Sequence, residues 1–119
     1  MIVTVSKEDL AAAEFAVEVI QWYQDDDQWY SGGPAKTWDN AIAAAGQCDD
    51  RPMAELRTLY AHGKQILEHY KIVSSERSVV AGDRIYEQVE RQGAVLIVRQ
   101  YAGHIATSEA YRYVGLVPR

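Results

Sequence analysis

The order of apolar and polar positions divides this chain into a helix-forming first part and a strand-forming second part. Ile2 to Val5 is a short β-branched run that suits an edge strand or an extended arm. Ser6, with Asp9 three positions later and Glu8 between them, has the form of a helix-starting cap whose acids favour the first-turn dipole. A helix is predicted over about 7–24. Wound at 100° per residue, it places Glu14, Glu18 and Gln21 on one narrow arc, and apolar residues from Leu10 to Tyr23 cover most of the rest. A helix apolar on most sides is either central in its domain or covered on a second face by another subunit.

Ser31-Gly32-Gly33-Pro34 marks a loop. A short helix over about 37–46 follows, with Thr37 as cap, Trp38, Ala41, Ile42 and Ala45 at helical spacing, and Gly46 as stop. The third helix, about 52–71, has Asp49 or Asp50 as cap and proline in its first turn. Met53, Leu56, Leu59, Tyr60, Ile66, Leu67 and Tyr70 share one half of its wheel, and Arg57, Thr58, Lys64, Gln65, Glu68 and His69 the other, so it has a core face and a wet face. Gly63 falls on the apolar half at a helix-propensity cost of about 1 kcal/mol relative to alanine, which points to a second backbone packed closely there.

Beyond Ile72 the period changes. Gly82, Gly93 and Gly103 punctuate segments rich in valine, isoleucine and tyrosine, the spacing of an antiparallel meander of three or four strands. Ala94 to Val98 is apolar on both parities, as in a central strand covered on both sides or across a subunit boundary. Ile105 to Leu116 is the last strand, with Tyr111 and Tyr113 on one face, while Arg84 to Arg91 suits either a strand or a short helix. The expectation is one α+β domain over 1–119. At this length roughly two-thirds of the unfolded surface is buried, enough for an ordered core.

Charge changes the picture more than composition does. The net value of −5 conceals an imbalance: residues 1–60 hold eleven acids and four bases, residues 61–119 six acids and eight bases. The acidic part disfavours direct nucleic-acid binding and attracts a basic protein surface. One cysteine, Cys48, cannot close an internal disulfide, the N-terminal residues lack the features of a secretory signal, and no apolar run reaches the ~20 residues of a membrane span. The expectation is a cytoplasmic protein without membrane contact.

Candidate chemistry is thin. Lys36-Thr37 before a helix resembles the end of a phosphate loop, but Ala35 and Tyr30 occupy the two positions that need glycine. His62 and His69 lie seven residues apart on the third helix, about 10.5 Å along its axis, too far to share one ion. Asp25-Asp26-Asp27 lacks the alternating ligands of a calcium loop. Asp49 and Asp50 beside Cys48 oppose a reactive thiolate. No cofactor, metal or catalytic set is expected.

The most distinctive segment is Trp22-Tyr23-Gln24-Asp25-Asp26-Asp27-Gln28-Trp29-Tyr30, two Trp-Tyr pairs around three acids. Large rigid rings with polar tips dominate binding hot spots, and adjacent acids select a basic partner. The expected binding residues are therefore Trp22, Asp25, Asp26, Asp27, Trp29, Tyr30, Asp49 and Asp50. The competing reading has the rings filling the core and the acids solvated; a methylated or choline-like cation is a third. These features fit a small acidic protein-binding module, such as an inhibitor or an immunity- or anti-defence-type protein acting on a basic or nucleic-acid-handling partner. The alternatives are a small-molecule binder or enzyme with a pocket lined by Tyr101, Tyr111 and Tyr113, and a structural homodimer built on the first helix or the central strand.

Overall fold

A computed structural model describes residues 5–24, 37–47, 49–103 and 109–119. It has three helices, α1 (Lys7–Gln24), α2 (Trp38–Ala45) and α3 (Met53–His69), followed by four strands, β1 (Tyr70–Glu76), β2 (Ile85–Gln92), β3 (Val95–Ala102) and β4 (Ala110–Pro118). The α+β class read from the sequence is the class observed. The chain divides into two compact units: Ala11–Glu68, which is helical, and Met1–Leu10 with His69–Arg119, which carries the sheet.

The helix starts obey local chemistry. Ser6 and Asp9 cap α1 reciprocally: the Asp9 amide donates to Ser6 Oγ at 3.1 Å and the Ser6 amide to Asp9 Oδ2 at 2.8 Å. Thr37, in extended conformation, accepts from the Asn40 amide and opens α2, and the Gly46 amide closes it on Ile42 O at 2.9 Å. At α3 the expected aspartate cap is not found. Asp49 Oδ1 instead accepts from the Arg51 amide two residues on, and the carbonyl of Pro52 accepts the first helical bonds, from Glu55 and Leu56.

Within the helical unit, Ala16, Val19, Ala41, Ile42, Leu56 and Tyr60 form the buried core, with Phe15, Ile20, Met53 and Leu67 packed against it. The small residues set how closely α1 and α3 approach. A methyl on Gly63 would overlap the carbonyl oxygen of Ala12 and stand 2.7 Å from Ala16 Cβ, so the glycine on the apolar half of α3 is where the α1 backbone passes. Burial of the apolar side chains at 25 cal/mol per Å² sustains the unit, and this approach fixes its geometry.

The sheet order is β1-β4-β3-β2, all antiparallel. β2, β3 and β4 make the expected meander, while β1 pairs with β4 rather than with its chain neighbour β2. α3 ends at His69 and β1 starts at Tyr70, so the apolar residue read as the last of the helix is the first of a strand; the Arg119 amide donating to His69 O marks that junction. The segment that suited either element, 84–91, lies almost wholly in strand β2. Leu96 faces Leu116 and Val98 faces Val114 across the β3–β4 ladder, and all four are buried. The other parity of β3, Val95 and Ile97, is only half-buried, so the central strand is fully covered on one face alone. Val5 and Leu10 are the buried residues at the start of the same unit, and Val5 is not in a strand; Ile2 to Thr4 lie outside the described residues.

Candidate functional site

The proposed binding segment begins at the end of α1. Trp22 and Tyr23 are half-buried and pack against the helical core. Asp25, Asp26, Asp27, Trp29 and Tyr30 lie outside the described residues, as does Cys48. The other half of the predicted set, Asp49 and Asp50, lies before α3. Asp50 is exposed. Asp49 is held by both guanidinium donors of Arg51, and these bonds lower its pKa from 3.8 to about 2. Its charge is therefore balanced locally by the Arg51 guanidinium.

A ring that the sequence marked only by its helical spacing stands at the surface. Trp38, first residue of α2, is 41% exposed. It stacks on Tyr23 with centroids 3.8 Å apart and planes 7° from parallel, and on its other contact lies 5.7 Å from Tyr60 at 24°. Lys64 Nζ is 5.7 Å from the Tyr60 centroid, so the ladder Tyr23–Trp38–Tyr60 ends in an intramolecular cation–ring contact. Burial raises the Tyr60 hydroxyl pKa. Beside the ladder Arg57 binds Asp39 through two bonds of 3.0 and 3.1 Å, tying α3 to α2 and lowering the Asp39 pKa. The signal that could have singled out Trp38 is its place directly after the cap Thr37: a ring at the first turn of a helix has no preceding turn to cover it.

The helical unit also carries a shallow groove of about 280 Å³, lined by Ala11, Glu14, Phe15, Glu18, Arg51 and Leu59. Its polar lining is two carboxylates one turn apart and the guanidinium already bonded to Asp49. Among the described residues no imidazole, thiol or hydroxyl lines it.

The three tyrosines considered for a pocket sit on the sheet. Arg99 lies 5.6 Å from the Tyr113 centroid and binds Glu90 at 2.7 Å on the same face. Tyr111 falls where the β3–β4 register shifts, a bulge that sends its hydroxyl to Gln100 Oε1 at 3.0 Å, on the face opposite Arg99. Tyr111 and Tyr113 thus do not share a face as simple alternation had implied. Gln100 in turn donates to Glu87, which also accepts from Lys7, and the Lys7 bond is the main cause of the lowered Glu87 pKa. Among the described residues no three His, Cys, Asp or Glu side chains converge as a metal site would require, and no helix is long and apolar enough to cross a membrane.

No protein-family model matches the chain, and neither the curated proteins nor the solved structures contain a significant match.

Proposed function

We propose that the protein is a small acidic protein-binding module of the cytoplasm that engages a basic or nucleic-acid-handling partner, in the manner of an inhibitor or an immunity- or anti-defence-type protein. One observation carries the reading: the acid is concentrated in one compact unit that also presents an exposed tryptophan. Residues Ala11–Glu68 contain ten acids and four bases, net −6, whereas the sheet-bearing unit contains seven acids and eight bases, net +1. Trp38, held face to face by Tyr23, is a rigid ring with accessible surface, and Tyr23 stands two positions before Asp25-Asp26-Asp27 in the chain. Rigid rings lose little conformational entropy on contact, and acids around them accelerate encounter with a basic surface.

In this mechanism Asp25, Asp26, Asp27 and Asp50 steer the partner, and Trp29, Tyr30 and Trp38 are buried against it. The association rate falls as salt is raised, and Trp29→Ala with Tyr30→Ala weakens binding. A rate unchanged by salt, or full affinity in the double variant, contradicts the mechanism.

A further inference from the structure

β2 is an edge strand, hydrogen-bonded on one side only, to β3. Two observations fix which of its main-chain groups face outward. Gln92 and Val95 close a two-residue turn at Gly93-Ala94, and the Gly103 amide donates to Arg84 O at 2.8 Å, so the even-numbered residues of β2 bond β3. The odd-numbered residues, Ile85, Glu87, Val89 and Arg91, direct their N–H and C=O groups to the open edge. Their side chains alternate onto one face of the sheet. Two of the four are large apolar residues left exposed, Ile85 at 46% and Val89 at 41%, an unusual surface for an edge.

Charges normally guard such an edge against pairing. Here their order matches a second copy of the same strand. In an antiparallel pair centred on Val89, Val89 meets Val89 of the second copy, and each Glu87 meets Arg91 of the other chain. On the opposite face Gln88 meets Glu90 and Tyr86 meets Gln92. Centring on Glu87 or Arg91 sets like charges against each other, and centring on Gln88 sets Ile85 against Arg91 and Glu87 against Val89. Glu87 already accepts from Lys7 and Gln100, while among the described residues none binds the Arg91 guanidinium.

We infer that two copies of this chain pair through β2 about a two-fold axis at Val89, joining two four-stranded sheets into one of eight. The register supplies about six main-chain hydrogen bonds, two reciprocal Glu87–Arg91 contacts and a central apolar pair. The β2 residues belong to the sheet-bearing unit and the acidic residues to the helical one, so either assignment stands or falls alone.

Sedimentation of the full chain over a concentration series tests it, with Val89→Lys, Val89→Glu and Arg91→Glu as variants at exposed positions whose folding circular dichroism verifies. The wild type sediments as a concentration-dependent dimer. Val89→Lys and Val89→Glu each place like charges on the axis and weaken dimerisation roughly tenfold or more, as does Arg91→Glu. An equimolar mixture of the Val89→Lys and Val89→Glu chains recovers the dimer, because opposite charges then meet at the axis. A wild type monomeric up to about 1 mM overturns the inference, whether or not β2 captures a strand of another protein. So does a dimer unaffected by these changes, which assigns the contact to a different surface.

Discussion

Tyr23, in the last turn of α1, and Trp38, the first residue of α2, stack ring on ring at 3.8 Å and 7°. This contact joins the two ends of the segment that holds the three aspartates and the second Trp-Tyr pair, and it holds Trp38 at the surface in a fixed orientation. A double-mutant cycle with Tyr23→Leu and Trp38→Leu should give a coupling of roughly 0.5–1.5 kcal/mol in chemical unfolding. Additive losses would mean that the rings touch without stabilising one another.

Gly63 provides a prediction whose sign opposes helix propensity. Gly63→Ala improves propensity by about 1 kcal/mol, yet the new methyl would overlap the Ala12 carbonyl and crowd Ala16. The expected net effect is a destabilisation of about 1–3 kcal/mol by urea unfolding, greater for Gly63→Val. A stabilised Gly63→Ala protein would show that α1 and α3 do not approach this closely.

This glycine, and most of the helical part, was readable from sequence because a 3.6-residue period and polar caps are local signals. Ser6 with Asp9, Thr37, Gly46 and Gly63 all act as their chemistry implies. What the sequence did not disclose depends on long-range pairing or on competition between partners. Nothing local says that β1 pairs with β4, or that Tyr111 occupies a bulge that turns it away from Tyr113. Asp49 was one of two aspartates expected to cap α3, and it bonds Arg51, two residues away, instead. Tyr70 fitted the helical period but belongs to β1, since apolar periodicity does not say where a helix gives way to a strand. Trp38 was marked only by its helical spacing, and its place in the first turn of α2 leaves it exposed. Of the predicted site, Trp22, Asp49 and Asp50 can be placed, while the acidic turn itself lies outside the described residues.

The Asp49–Arg51 pair carries a pH signature. Bonding to Arg51 lowers the Asp49 pKa from 3.8 to about 2, so the folded chain binds this proton less readily than the unfolded chain. The contact therefore favours folding above the unfolded value, and its contribution is lost as pH falls through about 2. Carboxyl titration followed by NMR should give a midpoint near 2 for Asp49, returning toward 3.8 in Arg51→Ala. A wild-type midpoint in the ordinary carboxylate range would mean that the pair does not persist in solution.

Because Trp38 is exposed and lies in the acidic unit, Trp38→Ala should weaken partner binding by more than it weakens folding. Truncation of a central ring at an interface typically costs 2 kcal/mol or more, roughly thirtyfold in affinity. Equal affinity in calorimetry, with the variant still folded, would remove Trp38 from the contact.

The acidic segment as the seat of binding is tested most directly by affinity capture from native lysate, comparing the wild type with the chain carrying Asp25→Asn, Asp26→Asn and Asp27→Asn together. The wild type should retain a basic protein that the triple variant loses, with both chains equally folded. Capture of the same proteins by both, or retention of no basic protein by the wild type, would contradict the proposed function.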